Sequence, residues 1–248
     1  EGGITAFLVD AESPGLRIGP EEVKLGQHAS STCSVFYENV AVEKSNVLGP
    51  PGQGHKIALN MLNLGRLKLA AACVGKMKAL LPHALAYTQE RTAFGQSLGA
   101  FGMIRDRLAR MAASLYAVES AVYRVASVME DALSHAQDGD GALNGAERLQ
   151  ILQEFALECA LVKSLATEAL STFTDDMLQL YGGYGFSEEY PAAKAFRDAR
   201  VTRLYEGTTE ICRLNVMQRL LAQCEAPSDP AGEGAVQQQK GLMQQLMQ

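Results

Sequence analysis

Residues 104–129 read IRDRLARMAASLYAVESAVYRVASVM, and their spacing decides the fold. Ile104, Leu108, Met111, Leu115, Val118, Val122, Val125 and Met129 recur at alternating steps of four and three. At 3.6 residues per turn that rhythm keeps them on one stripe of an α-helix, the seam along which helices pack in a bundle. Downstream, Leu152, Phe155, Cys159, Val162, Ala166, Ala169, Phe173, Met177 and Leu180 repeat the rhythm, diluted by alanines and a cysteine. Upstream, residues 54–90 form a third long helix with a weaker pattern, which the internal Pro82 is expected to kink. Short helices are expected over roughly 191–200 and 208–223. SHAQDGDGALNG (134–145) is a polar connection between two antiparallel helices. The fold class predicted is mainly α, an antiparallel helical bundle over residues 50–224.

The ends differ from this bundle. ITAFLV and TCSVFYENVAV are strand-like, with Pro14, Gly15, Gly19 and Pro20 punctuating between them. So few strands make a poor core, so residues 1–49 are expected to be the end of a β domain that is incomplete here. LGPPGQG (48–54) marks the boundary. Residues 225–248 are low in apolar content and are expected to be a mobile polar tail.

Composition narrows the function. Apolar residues make up 47% and charged residues 20%, as in ordinary soluble globular proteins. A net charge of −6 argues against nucleic acid as the main partner. No apolar run is expected to span a membrane, and residue 1 does not open a signal peptide. Cys33, Cys73, Cys159, Cys212 and Cys224 lack the spacing of metal ligands, and His28, His55, His83 and His135 are scattered. No metal site is expected, and the thiols read as reduced ones of an intracellular protein.

Four motifs stand out. In RLYEGTTEICR (203–213) the acid Glu206 precedes Gly207 and two threonines, Thr208 and Thr209, either of which suits a helix N-cap. The bland reading is a carboxylate favoured by the helix dipole. The sharper one is a general base under an apolar ceiling of Leu204 and Tyr205. In QLYGGYGF (179–186) three glycines end a long helix, more than a cap needs, and bare backbone of that kind suits a flat or phosphorylated cofactor. The motif is not GxGxxG and follows a helix, so a Rossmann site is rejected. In ERTAFGQSL (90–98) Arg91 is either a helix-end cation or a phosphate ligand. In NLGRLKL (63–69) a glycine inside a helix costs about 1 kcal/mol against alanine, so something must approach Gly65 closely. Arg66 beside it meets an anion or reaches solvent.

Taken in order, these motifs resemble the acyl-CoA dehydrogenase flavoproteins, from about residue 4 to 223. AFRDARVTRLYEGTTEICR, QLYGGYGF and ERTAFGQSL carry the likeness, and KLGQHASSTCSVFYENVAV, NLGRLKLAAA and FGMIRDRLARM are most similar to the very-long-chain branch. The resemblance implies FAD-dependent α,β-dehydrogenation of an acyl-CoA thioester. Glu206 would take the α proton, and its backbone N–H would meet the thioester carbonyl. It implies that Asn63, Leu64, Gly65, Arg66 and Gly207 line the substrate and that Thr208, Thr209 and Glu210 contact FAD. Arg91, Thr92, Phe94, Gln179, Leu180, Tyr181, Gly182 and Gly183 would reach the FAD of a partner subunit in a homo-oligomer, a dimer or tetramer. Electrons would pass to an electron-transferring flavoprotein. The location implied is cytoplasmic in a bacterium and mitochondrial in a eukaryote. Gly102 stands where many members have glutamine, and Gly65 where some branches carry the base. An oxidase on the same scaffold and a non-catalytic helical assembly protein are the alternatives.

Overall fold

The computed structural model describes residues 3–136 and 145–225. Among the described residues six α-helices dominate: α1 (Gly54–Glu90), α2 (Gly102–His135), α3 (Gly145–Glu154), α4 (Ala156–Tyr181), α5 (Pro191–Arg200) and α6 (Thr209–Glu225). The chain is mainly α, as its periodicity predicts. On α2 the seam residues Met111, Leu115, Val118, Val122 and Met129 are buried, and Ile104, Leu108 and Val125 pack against them. They meet Met77 and Leu80 of α1 and Leu170, Phe173 and Met177 of α4 in one core. Arg66 and Lys163 lie at one end of α1 and α4, and Tyr87 and Tyr181 at the other, so these two helices run in the same direction. α2 runs against both: Lys78 pairs with Glu119 at 2.5 Å, and Arg107 near its start pairs with Asp176 near the end of α4. α6 lies along α4, with Cys212 and Val216 packed on Ala160.

α1 continues through Pro82, which is exposed. The donor that proline removes therefore falls on the solvent side, where water replaces it, while Leu80 and Ala84 stay buried on either side. By length and composition α1 is apolar enough to cross a membrane, contrary to the expectation above. It packs on α4 and α2, and Asn60, Asn63 and Arg66 are buried along it, which marks one face as the wall of a bundle.

The second seam is not one helix. It breaks at Phe155, between α3 and α4. In the N-terminal part, β1 (Ala6–Phe7) pairs antiparallel with β4 (Val47–Leu48), and β2 (Leu16–Glu21) with β3 (Cys33–Tyr37). β2 contains Gly19 and Pro20, read above as punctuation. An irregularity in register between Ile18 and Glu21 lets a residue with no N–H stay within the strand. Residues 38–42 of the second strand-like run lie outside any strand. Ile18, Val35, Phe36 and Tyr37 are exposed, so these two-stranded ribbons have no core of their own. The loop at Gly26–Gln27 docks instead on α5, where the buried Asp198 carboxylate accepts from the Gln27 N–H and pairs with Lys194. Most of the polar connection (137–144) and the tail from 226 lie outside the described residues.

Candidate active site

Glu206 sits in a short turn between the end of α5 and the start of α6, with φ +57°, and Gly207 follows at +88°. A left-handed non-glycine residue costs of order 1–3 kcal/mol and persists only where its surroundings hold it. Two cations from different helices do the holding. Arg66 of α1 donates from Nε to the Glu206 carbonyl at 3.0 Å and from a terminal nitrogen to Asn63 Oδ1 at 3.2 Å. Lys163 of α4 donates from Nζ to the Gly207 carbonyl at 2.6 Å. Cys212 Sγ lies 3.6 Å from the same carbonyl. Of the two threonines, Thr208 is the N-cap: its hydroxyl accepts from the Ile211 N–H at 3.4 Å, and its carbonyl from Cys212 N–H. The Glu210 carboxyl is held below the usual range by its own N–H and the Thr208 hydroxyl.

Gly65 faces the Glu206 carboxylate. A Cβ at Gly65 would lie 2.7 Å from Oε2 and 2.9 Å from Oε1, so the close approach inferred from its cost in a helix is to this side chain. Oε2 is buried and has no hydrogen-bond partner. Among the described residues, the N–H groups of Glu206, Gly207 and Thr208 likewise find no acceptor. The site thus pairs a carboxylate whose lone pairs are unclaimed with a row of unclaimed donors. That is what proton abstraction next to a carbonyl requires.

Two sequence expectations change. Leu204 and Tyr205 are exposed, so within this chain they form no ceiling over Glu206; the turn carries them outward. Arg66 meets neither an anion nor solvent but grips the carbonyl that the left-handed turn leaves unpaired. Asn63 turns inward with it, both being buried, and Leu64 is half-buried. Lys163 was missed. It falls four residues after Cys159 and three before Ala166, inside the apolar stripe of α4, and that spacing was the signal.

A second group gathers at the far end of the bundle. Arg91 caps α1, exposed, with its guanidinium 5.5 Å from the Tyr184 ring. Thr92 pairs with Ser97 in a hairpin, β5 (Thr92–Ala93) with β6 (Gln96–Ser97), whose tip holds Phe94 at φ +51° and almost fully exposed. Tyr181 stacks on Tyr87 at 4.0 Å, Leu180 is buried, and Gln179 is exposed. Gly182 caps α4 at φ +58°, and a side chain at Gly185 would collide with the Leu178 carbonyl. Gly183 has neither requirement: a Cβ there meets nothing within 4 Å. Its bareness opens, beside Arg91, Leu98 and Tyr184, onto a cavity of about 420 Å³. Gly65 and Arg91 are 26 residues apart on one helix, about 39 Å at 1.5 Å per residue.

Residues 52–221 match the family model described as the acyl-CoA dehydrogenase C-terminal domain. The chain belongs to the acyl-CoA dehydrogenase family. A probable acyl-CoA dehydrogenase of Bacillus subtilis (strain 168) is 38% identical over 239 residues, 96% of this chain and 40% of that protein. The mitochondrial very long-chain specific acyl-CoA dehydrogenase of Bos taurus is 37% identical over 213 residues, covering 86% and 30%. The crystal structure of an acyl-CoA dehydrogenase complexed with FAD from Bacillus anthracis superposes with a TM-score of 0.87 at 36% identity, over 98% of this chain and 41% of that one. The chain therefore spans less than half the length of these acyl-CoA dehydrogenases. Both the Glu206 turn and the Arg91 hairpin fall inside the matched family domain.

Proposed function

We propose that this chain works as the C-terminal helical domain of an FAD-dependent enzyme that dehydrogenates fatty acyl-CoA thioesters at the α,β bond, with Glu206 as the base. The observation that carries the reading is the placement of Gly65 against the Glu206 carboxylate, where one buried oxygen has no partner. Glu206 takes the α proton. The free N–H groups of Glu206, Gly207 and Thr208 are the donors available to the thioester oxygen as negative charge develops on it. Gly65 leaves room for the carboxylate itself, Gly207 for the Arg66 guanidinium that holds the turn, and Arg66 and Asn63 keep the base in place.

FAD, when bound, supplies the acceptor for the β hydride. The residues present fit such a cofactor. The Thr209 hydroxyl is buried without a partner at the N-terminus of α6, beside Thr208 and Glu210. Gly182 and Gly183 offer bare backbone next to the Arg91 cation. These two groups lie at opposite ends of the bundle, too far apart to hold one molecule in a single copy. The reading therefore includes a homo-oligomer, a dimer or tetramer, in which Arg91, Thr92, Phe94 and the Gln179–Gly183 strip of one copy reach the FAD of another. Electrons leave to an electron-transferring flavoprotein.

The test uses the full-length polypeptide. Purified with FAD, it should be yellow, and an anaerobic addition of a fatty acyl-CoA should bleach the flavin. Rapid oxygen uptake without an added acceptor would make it an oxidase instead. No bleaching with any chain length would overturn the reading. Arg91→Ala is expected to lower FAD retention and oligomer mass together, since a charge-assisted contact contributes about 1.5–3 kcal/mol. Flavin content and light scattering read both. Unchanged values would leave Arg91 as a helix-end cation stacked on Tyr184.

A further inference from the structure

We propose that Lys163 is a positioning residue for the base: through the Gly207 carbonyl it holds the turn that aims the Glu206 carboxylate and the neighbouring N–H groups. The inference rests on the reading of Glu206 as the base. Lys163 is 0% exposed and heads the largest fully buried side chains. A lysine is almost never buried so completely without a partner carboxylate, because desolvating its charge is costly. Here no carboxylate lies within ion-pair distance among the described residues, and Nζ instead donates to one backbone oxygen, Gly207 O at 2.6 Å. Burial, with Arg66 close by, pushes the ammonium below its ordinary range. An apolar side chain at this position would serve the core of α4 better, so packing does not explain the lysine.

The geometry of the turn does. Glu206 and Gly207 are both left-handed, and their successive carbonyls are taken by cations from two different helices, Arg66 from α1 and Lys163 from α4. A trans peptide is planar, with C=O and the next N–H pointing opposite ways. Pulling the Glu206 carbonyl toward Arg66 turns the Gly207 N–H away from it. Pulling the Gly207 carbonyl toward Lys163 turns the Thr208 N–H away likewise. Those N–H groups are among the ones with no acceptor. Arg66 alone fixes one peptide plane; the second needs Lys163.

The experiment is Lys163→Met and Lys163→Gln in the full-length holoenzyme, beside Glu206→Gln. Lys163→Met keeps the stem and removes the donors. It should fold, keep FAD and melt within a few degrees of the parent, since losing a desolvated charge offsets losing one hydrogen bond. Its kcat should fall about 10- to 100-fold, with KM for the acyl-CoA changed by less than about threefold. Lys163→Gln, shorter but still a donor, should recover part of the loss. Independently of activity, hydrogen–deuterium exchange should rise in the Met variant at the hydrogen-bonded amides that flank the turn, Leu204, Tyr205, Ile211 and Cys212, and not elsewhere. Parental kcat and exchange, a loss carried by KM, a Gln variant no better than the Met variant, or a Met variant that does not fold would each overturn the inference, the last by making Lys163 a stability residue. Glu206→Gln separates the two readings. If it too is active, the base is misassigned; if it is dead while Lys163→Met is normal, only the role of Lys163 falls.

Discussion

Glu206→Gln in the full-length polypeptide should lower the rate of substrate-driven flavin reduction by at least about 100-fold while leaving FAD bound. The amide keeps the shape of the side chain and its contact with Gly65, and it cannot accept a proton from carbon. The backbone of the turn should not move, because Arg66 and Lys163 hold carbonyls and not the carboxylate. FAD content and melting temperature should therefore match the parent. Stopped-flow absorbance with a saturated acyl-CoA measures the rate, and bleaching at the parental rate would remove Glu206 from the mechanism.

Gly65→Ala should separate activity from stability in the opposite sense to most glycine substitutions. In a helix interior alanine is favoured by about 1 kcal/mol, so the melting temperature should hold or rise. The added methyl would lie 2.7 Å from Glu206 Oε2, and the atom it meets is the free end of a flexible side chain, so the carboxylate gives way and the backbone does not. A base displaced by about 1 Å can cost on the order of 100-fold in rate. Turnover and thermal melting of the same preparation check both halves, and unchanged turnover would mean that the position of the carboxylate is not limiting. The same proximity allows the base to be relocated. Glu206→Gly with Gly65→Glu should recover part of the activity lost in Glu206→Gly alone, more for short acyl chains than for long ones, because the new side chain occupies space the acyl chain needs.

The sequence was most legible where one physical signal acts alone. The alternating steps along α2 became the seam, five residues buried and Ile104, Leu108 and Val125 packed half-buried against the core, because a long amphipathic helix in a bundle has few other ways to hide its apolar stripe. Gly65 was legible as a cost demanding a close neighbour. The neighbour itself was not, since Gly65 and Glu206, 141 residues apart in sequence, are brought together only by tertiary packing. Pattern failed where backbone geometry overrode composition. Pro20 lies within β2 because the strand is irregular there, and Phe155, apolar and in phase, sits at the break between α3 and α4. Polar residues on a buried face were the hardest to read. Arg66 and Lys163 belong by type on a surface, and their targets are main-chain oxygens, which leave no trace in side-chain identity.

α1 carries Gly65 and Arg66 about a third of the way along and is capped by Arg91. A helix couples angle to length at about 100° and 1.5 Å per residue. One residue inserted between positions 66 and 91 would swing the arginine about a quarter turn around the axis while leaving every side chain chemically unchanged. Four residues would nearly restore the angle but push the hairpin about 6 Å outward. The segment thus behaves as a phase-locked spacer: free to vary in letters on its exposed side, and intolerant of any change in their number.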